Sequence, residues 1–211
     1  MKKQFLTFSL ASVVVIFSGC ATTTNQPHYI DHEKLGTSTP TTLGLDYEDF
    51  ERTALKLINS MLKSPYLNKM YKIKNKKYKM PLILMISDFN IDTVQRIDID
   101  QLIKKIRIAL LNSGKFLVTT ALRAGGPEDK ATIELAKLRG ENPDKIIKKL
   151  ANRIDLTLSG KIFMKRSLLS NGEQRLDHYI QMSLTDNKTG IAFWEGEEVI
   201  SKAGSNKSAP W

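Results

Sequence analysis

Pro81-Leu82-Ile83-Leu84-Met85-Ile86-Ser87-Asp88-Phe89-Asn90-Ile91-Asp92-Thr93-Val94-Gln95-Arg96-Ile97-Asp98 is the stretch on which the fold turns. The continuous apolar run over 82–86 has strand length and no alternation, so it reads as a strand covered on both faces and therefore central. From Asp88 the chain turns polar, which reads as a loop over 88–98 leaving the carboxyl end of that strand. Loops in this position often carry binding function on a rigid scaffold. The plain alternative is a strand-to-helix connection capped by Asp98 or Asp100. Asn90, Thr93, Gln95 and Arg96 are its candidate partner-binding side chains.

Downstream, Ile99, Leu102, Ile103, Ile106 and Leu110 line one face of a helix, with Lys104, Lys105 and Arg107 off it and Asn112-Ser113-Gly114 as its stop. A short strand over 116–120 follows. Upstream, Tyr47, Phe50, Ala54, Leu57, Ile58, Met61 and Leu62 recur at helical spacing, with Asp46 able to cap the first turn and Asp49 near the positive end of the helix dipole. Between this helix and the strand lie Lys69, Lys72, Lys74, Lys76, Lys77 and Lys79, with Tyr71 and Tyr78 and no acid. The stretch reads either as a solvated connector or as a dock for peptidoglycan or another anionic surface.

Beyond Gly125-Gly126-Pro127, a polar helix is expected over 128–139, halted by Gly140; Asn142-Pro143 opens another that runs to Arg153. Leu156, Leu158, Ile162 and Met164 then alternate with Thr157, Ser159, Lys161 and Phe163, as do Ile180, Met182 and Leu184 with Tyr179, Gln181, Ser183 and Thr185. Asn171-Gly172 and residues 186–190 supply turns, so this part reads as an antiparallel meander ending near Lys202. The order α-β-α-β-α-α-β-β-β predicts one compact α/β domain over 46–203, with a mixed, largely antiparallel sheet and packed helices, then a disordered tail over 204–211 ending in Trp211.

The amino terminus predicts where the domain works. Lys2 and Lys3 precede an apolar run over 5–17, which is too short to span a bilayer as a mature helix and fits a signal peptide over 1–19. Ile16-Phe17-Ser18-Gly19-Cys20 resembles the lipobox of bacterial lipoproteins, whose cysteine is acylated before cleavage. A buried thiol behind an ordinary signal is the bland alternative. Residues 20–45 would then be the lipidated Cys20 and a flexible tether, threonine-rich and poor in large apolar side chains. The full chain carries 32 basic and 22 acidic residues; losing Lys2 and Lys3 leaves 30 against 22, a formal +8. In an exported chain such an excess points to anionic headgroups, wall polymers or an acidic partner surface, and away from nucleic acid.

Catalytic chemistry finds little footing. Cys20 is the only cysteine, no serine sits in a G-x-S-x-G or S-x-x-K context with a convincing structural setting, and no carboxylate pair stands out by spacing. His28 and His32 lie in the tether and His178 in a strand, so no zinc-ligand spacing arises within the fold. No enzyme activity, cofactor or metal is expected.

Taken in order, Leu45-Asp46-Tyr47-x-Asp49, Asn90-x-x-Thr93-x-Gln95-Arg96-Ile97-Asp98, Leu110-Leu111-Asn112-Ser113-Gly114-Lys115-Phe116, Leu156-x-Leu158-Ser159-Gly160-Lys161-Ile162, Tyr179-x-x-x-x-Leu184-Thr185-Asp186-x-Lys188-Thr189-Gly190 and Trp194-x-x-Glu197 resemble the LpoB family of penicillin-binding protein activators. The resemblance covers residues 43–202 and the lipobox. It implies a domain similar to the amino-terminal domain of TolB. It also implies a monomeric outer-membrane lipoprotein, facing the periplasm, that stimulates a bifunctional class A penicillin-binding protein by contact and catalyses nothing itself. A component similar to the curli-secretion lipoprotein is the alternative, and would need membrane-length amphipathic hairpins that residues 156–199 do not display.

Overall fold

The computed structural model describes residues 42–122 and 129–205. The signal peptide, Cys20, His28, His32, most of the tether, Gly125-Gly126-Pro127 and Trp211 lie outside them.

The first helix, α1 (Tyr47–Leu62), starts where the capping signal places it. The Asp49 N–H donates to Asp46 Oδ1 at 3.0 Å and the Asp46 N–H donates to Asp49 Oδ2 at 3.1 Å, so two otherwise orphaned donors are satisfied reciprocally. Its apolar stripe, Phe50, Ala54, Leu57, Ile58 and Met61, is buried.

The lysine-rich stretch is not a connector. It forms a second helix, α2 (Pro65–Tyr78), so the order gains one element over the expectation. Ser64 caps it, Pro65 fits its first turn, and Lys79 ends it in the left-handed region at φ 56°. Lysine is a good helix former, and the short buried face of Leu67, with Met70 and Tyr71 half-buried against the core, suffices to dock it.

The apolar run begins β1 (Leu82–Asp92), which is longer than its hydrophobic part. Residues expected to open a polar loop at Asp88 instead continue the ladder, with a register shift between Ile86 and Phe89. Phe89 and Ile91 alternate with Asp88, Asn90 and Asp92, which is a strand pattern written partly in residues that disfavour strands. The loop proper spans 93–98. Asp98, not Asp100, then caps α3 (Ile99–Asn112), accepting from the Asp100 N–H at 3.2 Å. Arg107, expected off the apolar face, is buried one turn after Ile103. Gly114, at φ 67°, turns the chain into β2 (Phe116–Val118).

After α4 (Ala131–Leu138) and α5 (Pro143–Ala151) come β3 (Leu156–Leu168), β4 (Gln174–Asp186) and β5 (Ala192–Gly204). The Asn142 side chain caps α5, accepting from the Asp144 N–H at 2.8 Å. The sheet order is β2-β1-β3-β4-β5, with β1 parallel to β2 and β3 and the β3–β4–β5 meander antiparallel. This is the mixed, largely antiparallel sheet expected, although β3 rather than β1 holds the middle. Helices α1 and α3 lie together over one face, and the core fills the space between them and Leu84, Ile86, Leu156, Leu158, Ile180 and Leu184. The other face is only half covered. Ile83 and Met85 keep partial exposure, and α5 buries no side chain, so β1 is not enclosed on both sides.

Gly160 explains how the register shift is tolerated. It pairs with Phe89, and a Cβ there would lie 2.1 Å from the Phe89 ring. The missing side chain is the space the aromatic ring occupies. Gly160→Ala is expected to cost about 1–3 kcal/mol through overpacking, read as a lower urea midpoint at unchanged m-value; an unshifted midpoint would show the ring to be free to move.

A candidate partner-binding loop clasped to the amino-terminal strap

The candidate loop is built onto the chain that enters the domain. Residues 42–46 form a strap before α1 that bends at Leu43 and Gly44, and Leu43 and Leu45 are 3% and 5% exposed, so folding already begins within the expected tether. Gln95 grips this strap with both ends of its amide. The Leu45 N–H donates to Gln95 Oε1 at 2.8 Å, and Gln95 Nε2 donates to the Leu45 carbonyl at 2.9 Å. Thr93 Oγ1 donates to the Gln95 carbonyl at 2.8 Å, fixing the loop backbone behind the grip.

From the opposite side, β4 and β5 hold the same strap. His178, fully buried, meets the Leu43 carbonyl through Nε2 at 3.0 Å, as the donor in that contact. Lys202 Nζ donates to the Gly44 carbonyl at 2.8 Å, Asp46 Oδ2 at 3.0 Å and Asp49 Oδ2 at 2.6 Å. Three acceptors match the three N–H bonds of an ammonium group, which is why this cation tolerates an almost fully buried position.

The electrostatics follow from this packing. Burial raises the Asp46 carboxyl, but the Asp49 N–H and the Lys202 ammonium outweigh it and hold the group below the usual aspartate range. Burial pushes His178 below the usual histidine range; the Leu43 carbonyl opposes this, the Lys202 charge adds to it, and Asp49 and Asp177 oppose it.

The four predicted site residues therefore divide. Gln95 and Thr93 are half-buried and spend their polar groups inside the fold. Asn90 and Arg96 are exposed, as is Val94 at 66%. Asn90 lies in β1 rather than in the loop, opposite Lys161 on the half-covered sheet face. Beside it, Asp92 pairs with Phe163, and Phe163 pairs with Tyr179. Those two rings stack with centroids 4.7 Å apart and planes 2° apart, with Lys161 and Lys165 above their outer faces. This aromatic pair was not singled out from the sequence. A hairpin centred on Asn171 brings the two into register, so the turn signal contained the pairing. Among the described residues, no group of three or more His, Cys, Asp and Glu side chains is placed to hold a metal ion.

A family model for the peptidoglycan-synthase activator LpoB matches residues 49–200, from the first turn of α1 to the late part of β5. The chain belongs to the LpoB family. Membership supports a role in regulating peptidoglycan synthesis; the family is one of periplasmic lipoprotein activators rather than enzymes. Among solved structures, the LpoB C-terminal domain from Salmonella enterica is 17% identical, covering 66% of this chain and 95% of that one at a TM-score of 0.36. The LpoB C-terminal domain from Escherichia coli is 21% identical, covering 63% of this chain and 96% of that one, also at 0.36. The NMR structure of E. coli LpoB covers 97% of this chain and 88% of that one at 17% identity and a TM-score of 0.34. No curated protein sequence matches it significantly.

In this LpoB-family domain the buried centre sets two expectations. Lys202→Met leaves Asp49, 3% exposed at its side chain, with one fewer counter-charge, and is expected to cost about 3–5 kcal/mol in urea unfolding. The pH dependence has a definite sign. His178 and Asp46 both have depressed folded values, so the unfolded chain binds more protons as pH falls and stability is lost in that direction. The His178 part is present above the ordinary histidine value of about 6.5 and disappears as pH drops through the lower folded value; the Asp46 part goes only at more acidic pH. His178→Gln should flatten the slope between pH 7 and 5 measured by urea unfolding.

Proposed function

We propose that this chain binds and stimulates a bifunctional class A penicillin-binding protein. It is held in the outer membrane by lipid on Cys20 and faces the periplasm. The segmentation that goes with this reading is a signal peptide over 1–19, the lipidated Cys20 followed by a tether, and an activator domain. The observation that carries it is the match to the activator family across residues 49–200. The lipobox-like sequence before Cys20 supports export and anchoring. Activation needs no chemistry from this chain. A domain that binds the active conformation of the synthase more tightly than the inactive one shifts the population toward activity.

Asn90 and Arg96 are the contact residues of this reading. Both are exposed, and the clasp on Leu45 holds the loop that carries Arg96 in one conformation, so little ordering entropy is lost on docking. Gln95 and Thr93 position that loop. The lysines of α2 add a basic surface suited to an anionic one.

In a pull-down with the periplasmic part of a class A penicillin-binding protein, Asn90→Ala with Arg96→Glu should weaken binding about tenfold or more while leaving the melting temperature within about 1 °C. Gln95→Ala should lower both together. Undiminished binding by the Asn90/Arg96 variant would move the contact to another face.

A further inference from the structure

The end of the sheet farthest from the strap carries the basic α2 surface, whose anionic counterpart the activator reading leaves unnamed. At the amino-terminal end of β1, Asp155 ties several elements together. It accepts from the Ile83 N–H at 2.7 Å, holds Lys74 of α2, and its carbonyl accepts from the Asn187 N–H in the β4–β5 turn at 2.9 Å. The carboxyl end of α2 and that turn are thereby brought together.

Lys74 is the one α2 lysine paired with a carboxylate among the described residues. Lys69, Lys72, Lys76, Lys77 and Lys79 are exposed, and residues 64–87 contain no acid. Lys188 adds a cation from the turn. Lys77 Nζ lies 4.9 Å over the Tyr78 ring, and its hydrogen bond and charge, with smaller help from Lys188 and Lys74, keep that phenol below its usual range.

Large apolar side chains stand among these cations. Tyr66 is 52% exposed, Ile73 59%, Tyr78 56%, Met80 37% and, in the turn, Ile191 64%. Lys69, Lys72, Ile73 and Lys76 fall on the outward side of α2, away from buried Leu67, while the Tyr66 ring leans on Phe193 with centroids 4.9 Å apart. Ile73 on the outward side, with Tyr78 and Met80 at and just past the end of the helix, sets apolar tips beside those ammonium groups. A bilayer interface uses both kinds of group: lysine ammoniums meet headgroup phosphates, while tyrosine and aliphatic tips enter the headgroup and acyl boundary.

We propose that this α2 surface docks on an anionic phospholipid bilayer. The aliphatic tips distinguish this occupant from a hydrated glycan polymer, which offers carboxylates but no apolar phase. The 11 residues of β1, at about 3.3 Å each, separate the surface from the strap and its loop by about 35 Å. A domain lying on a bilayer by α2 therefore keeps Arg96 and the strap clear of it.

The test uses the processed chain, residues 20–211 with Cys20→Ser so that no acyl chain anchors it, sedimented with vesicles. Binding should be strong on phosphatidylcholine vesicles containing one quarter phosphatidylglycerol, near background on phosphatidylcholine alone, and reduced at 0.5 M salt. Lys76→Glu/Lys77→Glu/Lys79→Glu should lower the partition at least about tenfold. Ile73→Ser/Tyr78→Ser, which leaves the charge unchanged, should lower it about threefold or more. Reversing Lys145, Lys148 and Lys149 on α5 controls for net charge and should alter it less than about twofold; circular dichroism checks that all variants fold. Equal loss with the α5 variant, equal binding to neutral vesicles, or retention on purified peptidoglycan sacculi without retention on anionic vesicles would overturn the proposal.

Discussion

One buried ammonium group organises the strap end of this domain. Lys202 reaches from β5 to the strap carbonyl of Gly44, to the helix cap Asp46 and to Asp49, the partner of that cap. Desolvating a charge is costly, and the cost is offset only while all three acceptors stay in place. The same side chain thus couples the last strand, the incoming chain and the start of α1. Position matters as much as energy here, since any rearrangement of the strap leaves a charge stranded in the interior.

The loop over 93–98 inherits its shape from this arrangement. The Gln95 amide matches the donor and acceptor of Leu45 as a neighbouring strand would, so strap and loop define one another. Arg96 is thereby presented on a preset surface, although no regular element holds it. The activator role assigned by family is compatible with such a device, because a regulator needs a fixed shape more than it needs reactive groups.

Legibility in the sequence followed periodicity. Helices α1 and α3 and the meander announced themselves because their apolar residues recur at 3.6 or 2. Helix α2 hid behind its lysines, though Ser64-Pro65 was a start signal in plain view. The far half of β1 hid behind aspartates, because composition masked an alternation that continues to Asp92. The candidate loop was legible as a place but not as a division of labour. Gln95 and Arg96 are neighbours of similar polarity, and only the Leu45 backbone, fifty residues earlier, separates a clasp from an exposed side chain. Lys202 gave no signal at all. A lysine near the end of a strand reads as solvated, and its burial depends on two carboxylates more than 150 residues away.

The strap has a mechanical side as well. Tension applied at residue 42 is delivered first to Leu43, Gly44 and Leu45, and from them to β4 through His178, to β5 through Lys202 and to the loop through Gln95. The three anchorages take the load in chain order, His178 first and Gln95 last, before the first turn of α1 feels it. The Gln95 amide pair is the least buried of the three, yet tension reaches Leu45 only after Leu43 and Gly44 have left their partners. A pull on the strap thus peels it from its amino-terminal end, and the grip on the loop is the last to go.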